Sequence, residues 1–258
     1  MSDPILAHVE GAVLTLTFNR IEKKNAITTA MYSALADALT EAAQDDAVRV
    51  VVFQGAVEVF TAGNDLADFL SKPADLSPGA EPAPVVRFLE ALRTFPKPVV
   101  AAVCGPAVGI GTTLLLHCDL VYAGDNAAFS LPFVNLGVCA EGGSSLLLPQ
   151  LLGYQRAAEK LLLGEAFYAD EALEMGLVNR ILPPNEVNGY AQAQAAKLAA
   201  KPATSLRATK ALMKKPMTGL AQAMIDEFQS FGELLRGPAA REAISAVMEK
   251  RKPDFSKC

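Results

Sequence analysis

The sequence predicts an α/β core over residues 1–189, followed by a helical region over residues 190–258. Short apolar runs of strand character alternate with helix-like segments in the first part. From about Asn185 onward, the pattern changes to helical segments separated by prolines. The chain has 258 residues, of which 51% are hydrophobic and 20% are charged. This composition is sufficient for a sizeable buried core.

The first elements can be placed from their hydrophobic periodicity. Ala12–Phe18 alternates and is rich in β-forming residues, and Val48–Phe53, apolar except for Arg49, is a second strand candidate. Between them, apolar residues recur at every fourth position over Met31–Leu39. This spacing marks the buried face of a helix that begins after Thr28 or Thr29.

The next elements flank a loop and a glycine-rich turn. Ser71–Pro84 is rich in Pro, Gly and Ala, and we predict a mobile lid there. A second strand–helix–strand set then covers Val99–Val103, Gly109–His117 and Leu120–Ala123.

The sequence predicts helices in the C-terminal region. They contain more apolar residues than a small appended domain could bury alone. The predicted helices are Tyr190–Ala200, Ser205–Met213, Leu220–Leu235 and Ala239–Lys250. Their apolar residues include Leu206, Leu212, Met213, Leu220, Met224, Phe228, Phe231, Leu234 and Leu235. Exposed apolar surface of this kind usually marks an interface. We therefore predict an assembly region, with closure of the same core as the alternative.

A glycine-rich turn, Gly105–Thr113, connects the strand at Val99–Val103 to a helix. Such a turn exposes backbone N–H groups at the start of a helix, where the helix dipole also favours negative charge. The glycine spacing matches neither the dinucleotide-binding fingerprint nor the phosphate-binding P-loop. The alternative role of these glycines is close packing of helix against strand.

Glu141 is the only carboxylate in the apolar, glycine-bounded stretch Leu136–Gly143. A lone base beside a charge-stabilising turn indicates enolate chemistry. The alternative is that Glu141 caps the helix that starts near Gly142, since acidic residues favour helix N-termini.

Composition argues against several other classes of function. The net charge of −5 and the isoelectric point near 5.2 do not favour nucleic acid as a partner. The four cysteines form no C-x-x-C pair and there are two histidines, so we expect no metal site. Val99–Leu116 is uncharged, but its Gly105–Pro106 step and paired threonines favour a strand–turn–helix over a membrane span.

The predicted location is the bacterial cytoplasm. Met1–Ile5 lacks the basic start and apolar run of a signal peptide, so we expect no secretion signal. The tail Ser256–Cys258 is a distant variant of the peroxisomal Ser-Lys-Leu signal, and a peroxisomal location follows only if it is one.

Four stretches in order resemble the crotonase superfamily, the enoyl-CoA hydratase/isomerase family. They are Phe18–Ala26, Phe60–Leu66, Lys97–Ala123 and Glu249–Phe255, so the similarity spans nearly the whole chain. The resemblance implies a spiral of repeated ββα units, with C-terminal helices that build trimers or hexamers. It also implies an acyl-CoA substrate, whose thioester carbonyl binds between the backbone N–H groups of Asn64 and Ile110. Coenzyme A is then part of the substrate, and no separate cofactor is expected.

Departures from the family pattern indicate the reaction. Hydratases of the family carry two glutamates that handle water, and those positions here hold Thr113 and Phe133. Together with Glu141, this arrangement resembles the peroxisomal-type Δ3,Δ2-enoyl-CoA isomerases, whose catalytic glutamate lies at the position of Glu141. The resemblance therefore implies transfer of a proton from C2 to C4 of a 3-enoyl-CoA by Glu141, through a dienolate held by the two amides.

Further substrate contacts follow from the same resemblance. They are Lys24, Ala62, Gly63, Asp65, Leu66, Gly109, Phe133, Lys250 and Phe255. The two lysines are candidates for the CoA phosphates, with surface charges as the alternative, and Asp65 is also a candidate for bonding its own loop.

Two other functions remain open. A ring 1,2-epoxyphenylacetyl-CoA isomerase also lacks the hydratase glutamates, but tends to carry aspartate at the position of Glu141. A non-catalytic acyl-CoA-binding subunit would leave Glu141 in an apolar loop at a desolvation cost without a role.

Overall fold

Two β-sheets organise the computed structural model, which describes residues 3–71 and 81–258. Within these ranges the strands are β1 (Ile5–Glu10), β2 (Val13–Phe18), β3 (Val50–Gln54), β4 (Val99–Val103), β5 (Pro106–Val108), β6 (Leu120–Gly124), β7 (Ala128–Ser130), β8 (Phe167–Tyr168) and β9 (Arg180–Leu182). The larger sheet has the order β1-β2-β3-β4-β6-β9, and the smaller one has the order β5-β7-β8.

The helices occupy the connections between strands and the C-terminal region. In the described ranges they are α1 (Thr29–Gln44), α2 (Leu66–Ser71), α3 (Pro84–Thr94), α4 (Ile110–Thr113), α5 (Ser144–Leu152), α6 (Tyr154–Leu163), α7 (Ala169–Glu174), α8 (Pro184–Ala199), α9 (Ala203–Lys214), α10 (Leu220–Leu235) and α11 (Pro238–Met248). Short 3-10 helices cover Ile21–Lys23, Leu114–His117, Val134–Leu136 and Phe255–Lys257.

Successive turns of the chain contribute strands to both sheets. After the antiparallel β1-β2 pair, the large sheet continues with parallel pairings from β2 to β9. Each of β4 and β6 is followed by a short strand of the small sheet, β5 and β7, which are also parallel. An isolated parallel bridge between Thr61 and Ala107 extends this second row to the chain after β3. The result is the repeated ββα pattern that the resemblance implies.

Helices cover both faces of the large sheet, because successive strand residues point to opposite sides. Val51 and Phe53 pack in one cluster with Leu35 and Leu39 of α1. Their neighbours Val50 and Val52 pack in a second cluster with α8, whose contributing residues are Val187, Ala191 and Ala195. Both faces are buried, in agreement with the continuous apolar runs of β3 up to Phe53 and of β4.

Most predicted elements occur at or near their predicted positions. The side chain of Thr28 accepts the N–H of Met31, so Thr28 is the N-cap and α1 begins at Thr29. Strand β4 has the predicted bounds. The predicted helix over Gly109–His117 is instead α4 followed by a 3-10 turn.

The greatest shift is in α8, which begins at Pro184, six residues before the predicted start at Tyr190. Pro184 stands in the first turn of α8, where proline needs no N–H partner, so the helix starts at once after β9. The predicted domain boundary at residue 189 falls within this helix, which packs on the large sheet; the boundary stays a prediction.

The predicted lid and the apolar C-terminal residues have different outcomes. Residues 72–80 of the predicted lid lie outside the described residues. In the C-terminal helices, Leu212 and Met213 are 67% and 61% exposed, whereas Leu220 is buried. Within the described part of the chain, no helix has the length and apolar character needed to cross a membrane.

Candidate active site

A cavity of about 520 Å³ lies where the small sheet meets the C-terminal helices. The core contributes three segments to its lining, within residues 62–66, 108–110 and 132–138. Residues of α10 and α11 form the opposite wall, and Phe255 of the tail completes it. The lining is mostly apolar with a few polar groups, as is typical of sites for small molecules.

Two of these segments run side by side because they belong to neighbouring turns of the spiral. The N–H of Val108 donates to the carbonyl of Thr61 at 3.0 Å. Gly63 has a φ of 84°, and a Cβ there would lie 2.7 Å from the carbonyl oxygen of Val108. Glycine is therefore required at position 63 for both its backbone conformation and this close approach.

Each segment contains a cavity-lining residue whose backbone N–H has no acceptor among the described residues. Among the described residues, the N–H groups of Asn64 and Ile110 donate no hydrogen bond, and both residues line the cavity. Gly109, with a φ of 56°, turns the chain so that Ile110 is the first residue of α4. The first N–H groups of a helix have no acceptor within it. The cavity thus contains two main-chain donors suited to a carbonyl oxygen that gains negative charge.

Helix α4 also contacts the candidate base, Glu141. Thr113 Oγ1 donates to Glu141 Oε1 at 2.5 Å. Thr113 stands three residues after Ile110, which is about 4.5 Å along a helix axis. The same turn of helix therefore presents the Ile110 N–H and fixes the carboxylate of Glu141, although Glu141 itself is not among the cavity-lining residues.

The environment of Glu141 favours its neutral form. Burial raises the pKa of Glu141 from its ordinary value to about 7. The hydrogen bond from Thr113 opposes this rise, and the nearby carboxylate of Glu227 adds to it. A carboxyl group with this pKa is suited to accept and return a proton near neutral pH.

The loop that carries Glu141 is held from several sides. Gly142 and Gly143 both have positive φ, at 65° and 78°. Ser144 Oγ donates to the carbonyl of Glu141 at 2.6 Å. His117 Nε2 lies 2.7 Å from the carbonyl oxygen of Gly142. Because burial lowers the pKa of His117 to about 4, its ring is neutral at pH 7 and donates this bond from Nε2.

Tyr32 of α1 connects the two halves of the site. Its hydroxyl donates to the side-chain oxygen of Asn64. Burial raises the pKa of Tyr32 well above its ordinary value, and the charge of Glu141 raises it further. Tyr32 is therefore protonated. Its hydroxyl donates to Asn64, and the residue lies near Glu141.

A family model described as enoyl-CoA hydratase/isomerase matches residues 8–257. The chain belongs to this family. The α/β crotonase fold predicted from the sequence is confirmed, and the protein is an enzyme of the enoyl-CoA hydratase/isomerase family. The match covers the cavity, the paired amides and the Glu141 loop.

Curated relatives of this family member carry the names of different reactions. Rat enoyl-CoA delta isomerase 2 is 38% identical over 98% of this chain, which spans 65% of the length of that relative. Escherichia coli 1,2-epoxyphenylacetyl-CoA isomerase is 35% identical over 99% of both chains. E. coli 2,3-dehydroadipyl-CoA hydratase is also 35% identical over 99% of both. Family membership is therefore shown, and the individual reaction is not fixed by similarity alone.

The solved structure of Pseudomonas aeruginosa OdaA is similar to this family member. It superposes with a TM-score of 0.91 and is 48% identical, over 96% of this chain and 99% of that one. The spiral core and the C-terminal helices are therefore both part of the shared fold.

The cavity brings together most of the predicted site residues. Those that line it are Ala62, Gly63, Asn64, Leu66, Gly109, Ile110, Phe133 and Phe255. Their location agrees with substrate binding by this member of the family, while the role of each stays a prediction.

The remaining predicted residues lie outside the cavity lining. Arg20 Nη1 lies 2.7 Å from Asp65 Oδ2, and Asp65 Oδ1 accepts the N–H of Asp68. Although burial acts in the opposite direction, these hydrogen bonds lower the pKa of Asp65. Lys24 and Lys250 are exposed. The carbonyl of Lys24 accepts the N–H of Ala62 at 2.9 Å, so its backbone supports the first amide segment.

Several residues of this site carried no sequence signal that pointed to it. Tyr32, His117 and Glu227 each lie in an ordinary helical pattern, far from Glu141 in sequence. His117 is one of only two histidines, which is the one feature that could have drawn attention to it. In the described part of the chain, no cluster of three or more His, Cys, Asp or Glu could hold a metal ion.

Proposed function

We propose that this protein converts a 3-enoyl-CoA into the 2-trans-enoyl-CoA with Glu141 as its single base. The observation that carries this proposal is the geometry of α4. Its first residue, Ile110, lines the cavity with an N–H that donates to none of the described residues, and its last residue, Thr113, donates to the carboxylate of Glu141.

The proposed reaction uses only proton transfers. The thioester oxygen accepts hydrogen bonds from the N–H groups of Asn64 and Ile110. The carboxylate of Glu141 removes a proton from C2, and the electron pair of that C–H bond delocalises onto the thioester oxygen as a dienolate. The protonated Glu141 then donates the same proton to C4, and the double bond moves from C3–C4 to C2–C3. No water is added or released.

The two amides supply the main electrostatic contribution to this reaction. They are fixed by the backbone before the substrate arrives, so no reorganisation is needed as negative charge develops on the oxygen. Loss of one such donor typically raises the barrier by about 2.7–4 kcal/mol.

The side chains do not favour hydration. Phe133 lines the cavity at one position where hydratases carry a glutamate. Thr113 occupies the other position, and its hydroxyl is already bonded to Glu141. Among the described residues, the other carboxylate near Glu141 is that of Glu227, and its two oxygens already accept the N–H groups of Gly143 and Ser145.

A ring-epoxide isomerase is the second candidate, favoured by the full-length similarity to the E. coli 1,2-epoxyphenylacetyl-CoA isomerase. That reaction also uses a CoA thioester and an oxyanion site. A non-catalytic acyl-CoA-binding role is disfavoured by the raised pKa of Glu141, because a carboxyl group without a role would be desolvated at a cost.

The deciding experiment compares three substrates with one purified protein. Trans-3-hexenoyl-CoA, crotonyl-CoA and the ring epoxide of phenylacetyl-CoA are each incubated with wild type and Glu141→Gln, and products are separated by chromatography. Glu10→Gln is the matched control, since Glu10 is exposed at the end of β1, the edge strand of the large sheet, and does not line the cavity. We expect isomerisation of the 3-enoyl-CoA that is lost only in Glu141→Gln. Comparable turnover of crotonyl-CoA, or turnover of the epoxide alone, would contradict the proposal.

The other predictions for this protein stay proposals. We propose a homotrimer or hexamer built by the helices after residue 190, with acyl-CoA as the substrate and a bacterial cytoplasmic location.

A further inference from the structure

Glu227 is a buried carboxylate that the proposed reaction does not use. It lies on α10, is 7% exposed, and reaches the loop after Glu141 from the C-terminal helices. Its Oε2 accepts the N–H of Gly143 at 2.6 Å, and its Oε1 accepts the N–H of Ser145 at 2.9 Å. Both oxygens are therefore bonded to main chain within four residues of the base.

These two bonds fix the loop where its own conformation is least constrained. Gly142 and Gly143 separate Glu141 from α5, and glycine has the greatest backbone freedom of any residue. Ser145 is in the first turn of α5, whose N–H groups have no acceptor within the helix. Glu227 satisfies one of these donors and fixes the glycine pair in the same contact.

We propose that Glu227 is a positioning residue for the reaction: its carboxylate holds the Gly142–Gly143 hinge and places a second negative charge beside Glu141. This proposal rests on the proposed role of Glu141 as the base. A helix cap of purely structural value would need only the bond to Ser145 and would have no effect on proton transfer.

The groups around Glu141 do not offset the charge of Glu227. Thr113 faces it from α4, Tyr32 from α1, Cys139 from its own loop and Glu227 from α10. The ring of His117 is neutral at pH 7 and bonds to Gly142. Among the described residues, no cationic side chain contributes to the raised pKa of Glu141. The carboxylate of Glu227 is thus not compensated by a nearby positive charge at the base.

Three variants distinguish the effect of the Glu227 charge from the effect of its side-chain length. Glu227→Gln removes the charge and keeps the size. Glu227→Asp keeps the charge, but is too short by one methylene to make both bonds. Glu233→Gln is the matched control, because Glu233 is an exposed acid on the same helix.

Two measurements are made on the full-length protein: the pH dependence of kcat and KM with a 3-enoyl-CoA, and the titration of the Glu141 carboxyl group by infrared spectroscopy, assigned by its loss in Glu141→Gln. In Glu227→Gln we expect the titration midpoint to fall by about 0.5–1 pH unit, since a neighbouring like charge raises a carboxyl pKa. The high-pH plateau of kcat should fall several-fold, with KM within twofold. In Glu227→Asp the plateau should fall while the midpoint stays near that of wild type, and Glu233→Gln should match wild type in both.

The outcomes distinguish this proposal from the proposed function. A wild-type protein without isomerase activity contradicts the function, whereas the infrared titration still tests Glu227. An unchanged midpoint in Glu227→Gln overturns the proposal. If Glu227→Gln does not fold, a Glu227→Asp variant with the plateau of wild type overturns it instead.

Discussion

Glu141 combines two properties that a catalytic base for C–H deprotonation needs. Its carboxylate is fixed by Thr113, and its pKa is raised to about 7, chiefly by burial. A base whose pKa lies near the working pH has the best compromise between the ionised fraction and the tendency to accept a proton. The same protonated group then remains acidic enough to return that proton.

The pH profile of the free enzyme should report this residue. Only the ionised form of Glu141 can remove a proton, so kcat/KM for isomerisation should rise with pH and level off above about 7. Below that pH, it should fall about tenfold per unit. Initial rates at low substrate concentration over a pH series give the midpoint. A midpoint near the ordinary pKa of glutamate would contradict the proposed environment.

Replacement of Glu141 by glutamine should remove the reaction while preserving the shape of the site. An amide cannot take the proton, so we expect kcat to fall by about 10²-fold or more, as for other general bases, with KM little changed. Steady-state kinetics test this. Retention of more than about a tenth of kcat would contradict the assignment.

The thermal stability of Glu141→Gln, compared with that of wild type, tests whether this variant folds. In wild type, the folded state raises the pKa of Glu141, so it binds the proton more tightly than the unfolded state does. Wild-type stability contributed by this group is therefore present at low pH and is lost as pH rises through about 7. Glu141→Gln should accordingly have a higher Tm than wild type at pH 8 and no such advantage near pH 4. Differential scanning calorimetry at both values measures this.

At this scale, the sequence predicts residues that belong to local motifs better than those that meet only in space. The turn at 105–113 was recognisable from its glycine spacing. Glu141 was recognisable as the single acid within an apolar stretch. Glu227 lies 84 residues from Gly143, to which it bonds. Its helix places it there through tertiary packing, which no spacing rule describes.

At the scale of elements, α11 depends on one glycine. Gly137 has a φ of 70°, and a Cβ there would lie 2.6 Å from the carbonyl carbon of Ala239 and the nitrogen of Ala240. These are backbone atoms at the start of α11, which cannot move aside as a side chain can. Helix α11 lines the cavity through Ala243, Ile244 and Val247.

Gly137→Ala should therefore displace α11 and weaken the protein. The left-handed conformation alone costs about 1–2 kcal/mol for a residue with a Cβ, and the backbone clash adds to it. Gly219→Ala is the matched control, since Gly219 is also left-handed, with a φ of 91° and a ψ of −10°, and has open space around its Cβ position. Urea unfolding should show a clearly greater loss of stability for Gly137→Ala than for Gly219→Ala. Equal losses of stability would mean that the contact between Gly137 and α11 does not contribute to the effect of the substitution.

Elements with strong periodicity were predicted, and short ones were not. Helix α1 and strand β4 have a long apolar pattern, so their positions follow from sequence. Strands β5, β7 and β8 have two or three residues and exist because the turns of the spiral lie side by side. Such pairing has no local signal, and only the family resemblance implied it.

At the scale of the whole molecule, apolar surface on the C-terminal helices supports the proposed oligomer. Leu212 and Met213 of α9 and Ile225 of α10 are exposed, as is Met248 of α11. Apolar groups of this size on several helices are more typical of an interface than of free surface.

Light scattering at micromolar concentration should give the mass of a trimer or hexamer. A chain cut after Gly237 should lose part of that assembly and also bind acyl-CoA more weakly, because it lacks α11 and Phe255 from the cavity wall. Isothermal titration calorimetry with a non-reactive saturated acyl-CoA measures the affinity. A fully active wild-type monomer would contradict the oligomer, and unchanged affinity in the truncated chain would contradict the role of the tail.

The two unpaired amides have an evolutionary consequence. They belong to two segments joined by the parallel bridge between Thr61 and Ala107, so both groups are placed by the backbone. Substitution of Asn64 or Ile110 leaves both N–H groups in place. The proposed enolate-binding part of the site thus depends on the backbone and not on the side chains of these two residues. Relatives of similar identity can then diverge in reaction, as their names as isomerases and hydratases indicate. In such a fold, a different reaction would depend on the side chains placed around the same pair of amides.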